Sequence, residues 1–348
     1  MTKTVFRDFD EFSAAINGIA GQFVPTARSE TDWLVHAVPV GRIAMQQVQI
    51  GGAGTFAGDG RPETITIGIP LGEPQEIRID GQCMSESSFL RASEGRPFTW
   101  ATQRATQWAG IEIPMDHELL DCELRDSVRS WTQSHSQTEK LAVETIHALL
   151  SRAFADDATV ACADPAAERC LEEEAVLAIS RALEGCSEAI ETQIGRPRVP
   201  RDRIISKALE FMDASAGQPM LVSELCRAAE VSERTLQYVF KEHFNVGPMR
   251  LLKVRQLREI RLALLDAEPG SETVAAIATR FGVWDFSLFA RNYRGLYGEA
   301  PSATLRRTPP HRQKKDASDA WIRFAAQKFG GAPKALDEDS GEAARTRV

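Results

Sequence analysis

Two short stretches carry side chains suited to a charged, hydrogen-bonding polymer. In SERTLQYVFKE, helical spacing leaves Glu233, Arg234, Gln237, Tyr238 and Lys241 on the exposed side; in WDFSLFARNYR it leaves Ser287, Leu288, Arg291 and Arg294 there. Arginine matches guanine bidentately, glutamine does the same for adenine, and further cations meet phosphates. Other chemistries are poorly supplied. Only His36 precedes residue 115, too few imidazoles for a convergent metal set, and neither Gly-x-Ser-x-Gly nor His-Glu-x-x-His occurs. Cys83, Cys122, Cys162, Cys170, Cys186 and Cys226 contain no Cys-x-x-Cys pair, so they read as ordinary thiols rather than a zinc knuckle or disulfide framework. A cupin-type enzyme is therefore the disfavoured reading, and no cofactor or metal is expected.

The elements that position these residues form an internal repeat. Leu225 aligns with Ile277 and Val231 with Val283 at an offset of 52; Leu236, Phe240, Phe244 and Pro248 align with Phe289, Tyr293, Tyr297 and Pro301 at 53. One inserted turn residue explains the shift. Each unit reads as a short helix, a tight turn and a longer helix with an aromatic anchor every four residues, the layout of a helix-turn-helix. FGVWDFSLFARNYRGLYG holds six aromatics in eighteen residues. Phe289, Tyr293 and Tyr297 share one face and should bury against Ile277 and Phe281, so these rings are mostly core rather than a stacking platform for unpaired bases.

From Pro248 to about Ala267 a breaker-free helix joins the units. About twenty residues span roughly 30 Å, close to one turn of duplex DNA at about 34 Å. Charge is segregated accordingly. Arg198 to Arg307 holds 17 Lys+Arg against 13 Asp+Glu, a balance of +4, whereas the rest of the −8 chain carries −12.

The 348 residues suggest two domains. Before Pro114, strand-like runs such as WLVHAVPV, RIAMQQVQI and ETITIGIP alternate with turns, implying an antiparallel β-barrel of cupin or jelly-roll type. A short helix capped by Asp8, with Glu11, Phe12, Ala15 and Ile16, precedes it. GGAGTFAGDG reads as a mobile connection, since it does not open a helix as a phosphate loop would. Trp33, Met45, Trp100 and Trp108 either line a ligand cavity or form the barrel core. Helices then follow, one with Leu120, Leu124, Val128 and Trp131 on a face, another with Leu141, Thr145 and Leu149, and a third from Glu168 to Ile190. They either cover the barrel or pair with another subunit.

The expected organisation is α+β: a sensor or dimerisation domain over 1–192 (barrel about 1–114, helices about 115–192), a linker over 193–202, an all-α domain over 203–308, and a polar, largely disordered tail over 309–348 in which Trp321, Phe324 and Phe329 can dock as a helical turn. No membrane span or secretory signal is visible, which places the chain in the cytoplasm.

From about Arg203 to Arg307 the sequence resembles the DNA-binding domain of AraC/XylS-family transcriptional regulators. Ser232-Glu233-Arg234-Thr235-Leu236-Gln237, the following proline, the arginine-rich connector and Gly-x-x-Pro at Gly298 to Pro301 occur in that family's order. GVWDFSLFARNYRGLYGEAPSATLRR is similar to a subgroup that includes ethanolamine-operon regulators. The resemblance implies base-reading roles for Arg234, Gln237 and Tyr238 and for Phe286, Ser287 and Arg291, within a surface that also includes Ser232, Lys241 and Arg294. Three positions depart from the pattern. Tyr238 and Leu288 stand where arginine is frequent, and Glu230 replaces a turn glycine, so that turn either avoids a positive φ or bears strain. The resemblance further implies promoter DNA, a small-molecule effector, a homodimer and RNA polymerase as partners. An architectural DNA-binding protein without an effector is the alternative, favoured by an apolar, closed barrel interior.

Overall fold

A computed structural model describes residues 2–6, 9–72, 76–95, 98–120, 131–133, 137–154, 164–184, 201–215, 220–267 and 270–307. Period-two alternation dominates the first part. The strands are β1 (Thr2–Phe6), β2 (Ile19–Pro25), β3 (Trp33–Val40), β4 (Ile43–Ile50), β5 (Gly54–Gly60), β6 (Thr64–Pro70), β7 (Ile77–Ile79), β8 (Gln82–Cys83), β9 (Ser88–Ser93), β10 (Phe98–Thr102), β11 (Thr106–Pro114) and β12 (Trp131–Gln133), with α1 (Phe9–Ala15) between β1 and β2. They form a seven-stranded sheet in the order β1-β3-β4-β11-β6-β9-β12 and a five-stranded sheet in the order β2-β5-β10-β7-β8. Neither order returns to its first strand, so the closed barrel is replaced by an open two-sheet sandwich. The physical reason is that each sheet finds apolar cover on both faces, which removes the need to curl and close.

On the seven-stranded sheet, Val38, Met45, Ile67 and Ile111 point to one face, where α2 (Gln137–Ala153) and α3 (Pro165–Glu184) cover them. Val35, Val48 and Trp108 point to the other face, into the space between the sheets. Met45 therefore packs under helices and not in a cavity. The buried side of α2 includes Ala142, Val143, Ile146, Leu149 and Leu150; of the expected stripe, Leu149 is buried, Thr145 is half-buried and Leu141 is exposed. Trp131 lies on β12, paired with Leu90, rather than on a helix. Leu124 and Val128 lie outside the described residues, as do Asp8, Cys122, Cys162, Cys186, the linker residues 193–200 and the tail from 308. Cys83, Cys170 and Cys226 are free thiols.

GGAGTFAGDG is also corrected: Gly54–Gly60 is β5, an interior strand of the five-stranded sheet. Its glycines make room for rings. A Cβ on Gly54 would lie 2.1 Å from the Phe23 ring, and one on Gly58 would lie 2.4 Å from the Ala20 carbonyl oxygen. Phe23, Phe56 and Trp100 thereby fill the sandwich beside Trp33, which meets Phe9, Phe12 and Phe23 edge-on.

The outer face of this sheet carries small residues, with Thr55, Ala57, Thr99 and Ala101 all buried. The C-terminal helices lie against it. These are α4 (Arg201–Ala214), α5 (Val222–Ala229), α6 (Glu233–Phe244), α7 (Pro248–Asp266), α8 (Val274–Arg280), α9 (Phe286–Tyr297) and α10 (Pro301–Leu305). Here α6 packs on β10 and α7 on β2. Ala57 joins the apolar core of α4 to α6, and Val24 joins that of α7 to α9. Arg250 donates from Nε and Nη2 to the Thr26 carbonyl at 3.2 and 2.8 Å. The layers thus run from α2 and α3 through the large sheet and the small sheet to the helical region.

Gly54→Ala should destabilise the chain by about 1–3 kcal/mol, because the Phe23 ring must leave its place over β5. Urea unfolding of the two proteins, followed by circular dichroism, measures this; an unchanged midpoint would show that the ring shifts without cost.

Candidate nucleic-acid interface

The repeat read in the sequence recurs as geometry. At the first turn, the Val231 N–H donates to the Cys226 carbonyl and the Glu230 N–H to that of Arg227; at the second, Val283 donates to Ala278 and Gly282 to Thr279. Asp285 Oδ1 caps α9 by accepting from the Leu288 N–H at 2.8 Å, and Ser232 Oγ caps α6 by accepting from the Thr235 N–H at 3.2 Å. Asn245 and Gly298 then end the longer helices in left-handed conformation, and Pro248 and Pro301 open the next ones. These are glycine-type or asparagine C-caps and proline N1 positions, each set by local chemistry.

The two turns differ at one residue. Gly282 has φ +74°, which glycine adopts freely, whereas the equivalent Glu230 has φ +57°. Of the two alternatives for that turn, the strained one holds. The Glu230 carboxylate meets Lys207 Nζ at 2.7 Å, and this hydrogen bond, with the lysine charge, lowers its pKa.

Leu236, Val239, Phe240, His243 and Phe244 form the buried side of α6. Arg234, Gln237, Tyr238 and Lys241 remain exposed while α6 is docked on the sheet. Gln237 Nε2 donates to Glu233 Oε1 at 3.1 Å, and the Arg201 guanidinium lies 5.7 Å over the Tyr238 ring. Arg201 falls inside the stretch read as linker, where sequence offered no cue to stacking on Tyr238. Ser232 is placed as a cap, its hydroxyl already engaged by Thr235.

On α9, Phe289, Tyr293 and Leu296 are buried and Tyr297 is partly so, as is Phe281 at the end of α8. Helical rotation of about 100° per residue then puts Ser287, Arg291 and Arg294 on the outward line, with Phe286 and Leu288 to either side. All five are exposed. Trp284, one of the six aromatics of this stretch and outside the set read as core, is 78% exposed. Its position outside the four-residue aromatic period was the signal.

The helix joining the units is held by a buried network. Arg261 Nη1 donates to Glu299 Oε1 at 2.7 Å and to Tyr293 Oη at 3.3 Å, and its guanidinium lies 4.6 Å over the Tyr297 ring. Thr304 Oγ1 also donates to Glu299, and Arg307 pairs with the same carboxylate. Burial pushes the Glu299 pKa up, but bonds from Arg261 and Thr304 and the charges of Arg261 and Arg307 outweigh it and hold the carboxyl below its ordinary value. The 19-residue α7 is thereby fixed against α9 and α10, and it spans roughly 28 Å.

A family model for a helix-turn-helix domain matches residues 225–307. Over 114 residues the chain is 37% identical to the "Probable thc operon regulatory protein" of Rhodococcus erythropolis, covering 33% of this chain and 34% of that one. Over 101 residues it is 32% identical to "XylDLEGF operon transcriptional activator 3" of Pseudomonas putida, covering 29% and 30%. A solved structure of a "probable AraC family transcriptional regulator" from Rhodopseudomonas palustris is 30% identical, covering 31% of this chain and 98% of that one, with a TM-score of 0.28. The chain spans about a third of the length of the curated relatives it matches. Its C-terminal region is a helix-turn-helix DNA-binding domain. That domain is of the kind found in AraC/XylS-family transcriptional regulators.

Three stability outcomes follow. Arg261→Ala should cost about 1–3 kcal/mol, since it removes a buried charge-assisted hydrogen bond and leaves Glu299 with Thr304 and Arg307 as its remaining partners. Because the folded Glu299 pKa is depressed, its contribution is present above the unfolded value of about 4.5 and lost as pH falls below it; Glu299→Gln should flatten that acid-side slope in denaturant titrations. Glu230→Gly should raise the thermal midpoint by a few degrees by relieving the left-handed turn. A lower midpoint in calorimetry would mean that the Lys207 contact outweighs the strain.

Proposed function

We propose that this protein is a cytoplasmic, promoter-binding transcriptional regulator that grips duplex DNA with both helix-turn-helix units. The observation that carries this reading is the pair of exposed, basic helix faces on α6 and α9, held at a fixed separation by α7 and its Arg261 network. Arg234 and Gln237 serve as base readers, with Tyr238 beside them, and Lys241, Arg291 and Arg294 as phosphate contacts. The likeness of GVWDFSLFARNYRGLYGEAPSATLRR to ethanolamine-operon regulators supports a place in that subgroup.

The N-terminal sandwich is the regulatory domain in this proposal. A cavity of about 30 Å³ lies between the sheets, lined wholly by apolar residues including Ile69, Phe56, Trp100 and Trp108. Trp33 and Met45, the other two ligand candidates, do not line it. An uncharged, apolar effector suits such walls. Phe56 and Trp100 face the cavity, while Ala57 and Ala101 on the same strands face the DNA-binding helices. An effector that widens the cavity therefore shifts the surface on which α6 rests. The exposed Leu141 of α2 and Leu177 of α3 support self-association through these helices, and RNA polymerase is the further partner of a promoter-bound regulator. The cavity's small size favours the effector-free architectural reading; tryptophan fluorescence during titration with apolar compounds separates the two, because Trp100 and Trp108 line the cavity.

Footprinting on candidate promoters tests the central reading. Arg234→Ala should lose about 1–3 kcal/mol on the operator and little on random DNA, as expected for a base contact. Arg291→Ala should weaken both alike and reduce the salt slope by about one phosphate contact. The reverse pattern would make the second unit the principal reader.

A further inference from the structure

Given promoter binding as proposed above, we infer that the second helix-turn-helix unit recognises thymine through its 5-methyl group, by the exposed apolar side chains of Phe286 and Leu288, which flank the outward line of α9, with Trp284 just ahead of them. Trp284, Phe286 and Leu288 are 78%, 42% and 39% exposed, although each is large and apolar. They stand at the leading end of α9, the end that a recognition helix presents to base edges in the major groove.

The two units differ sharply here. At the offset of 53, Glu233, Arg234 and Thr235 of the first unit become Phe286, Ser287 and Leu288 in the second. At two of these three exposed positions a hydrogen-bonding group has been exchanged for hydrocarbon, and at the third the arginine has shortened to serine, while the cap, the buried anchors and the closing turn are retained. Large apolar side chains exposed on both sides of the outward line are unfavourable in the isolated protein and call for apolar counterparts.

Charge identifies the counterpart as DNA. Arg291 and Arg294 lie on the same outward line, one and two turns further along the helix, and Arg306 is exposed on the segment after α10. The nearest acid, Asp285, is engaged in capping Leu288, with Lys253 close enough to feel its charge. The surface is thus hydrocarbon at the tip and cationic behind it. In the major groove, the thymine methyl is the apolar feature, and phosphates flank it on both sides.

The test uses the full chain and the operator found by footprinting, synthesised with thymine or with deoxyuridine under the second unit. Deoxyuridine keeps every hydrogen-bonding atom and lacks only the methyl. The wild-type protein should bind the thymine form more tightly by about fourfold per buried methyl. The Phe286→Ala/Leu288→Ala variant, checked for an unchanged thermal midpoint, should bind both forms alike and as weakly as wild type binds the deoxyuridine form. Arg291→Ala should bind less tightly yet keep the preference for thymine. Equal wild-type affinity for the two forms, or a second half-site without thymine, overturns the inference while leaving the footprint intact. A variant that binds the operator normally but fails in transcription also overturns it, because the surface then serves a protein partner. Absence of any sequence-specific footprint removes the DNA-binding proposal itself.

Discussion

Burial of the five-stranded sheet on both faces is the constraint on which the arrangement rests. Its inner face supplies Phe23, Phe56 and Trp100 to the sandwich, and its outer face supplies Thr55, Ala57, Thr99 and Ala101 to the helices. Small outer residues let α6 approach closely, and large inner ones fill the space to the facing sheet. Gly54 and Gly58 belong to the same solution, since Cβ atoms there would meet ring or backbone. Strand alternation thus divides one sheet between a small apolar cavity and the helix-turn-helix region, with a single layer of backbone between them.

The helical region is built by repeating one local recipe. Each unit has a turn closed by paired backbone bonds, a capped longer helix and a left-handed stop followed by proline. The copies diverge only where the recipe leaves freedom. Glu230 replaces a glycine at a left-handed turn position, and two of the three leading exposed residues change from polar to apolar. Such positions tolerate change because the fold of the unit rests on its anchors and caps. Arg261 then couples the second unit to the connecting helix through a buried charge whose partners satisfy it from several sides.

Much of the candidate interface was legible from residue types. Helical period separated Leu236, Phe240, Phe289 and Tyr293 from Arg234, Gln237 and Arg291, and all seven stand on the expected side. Trp284 was legible only as an aromatic outside the four-residue period; that its ring is exposed depends on which neighbours cover that turn. Ser232 was legible as part of a motif, but its engagement in the helix cap depends on where the Thr235 amide points.

By itself the sequence determined what short-range chemistry controls: the strand and helix periods, the repeat, the basic connector and the exposed faces of α6 and α9. Only the tertiary structure decided what distant segments must settle together. It opened the expected barrel into two sheets, turned a glycine-rich stretch into an interior strand, put Met45 beneath helices and Trp100 beside a cavity, and laid the DNA-binding helices on the small sheet. The reason is that alternation says a side chain faces one side or the other, but which partner covers that side depends on long-range packing that no local pattern records.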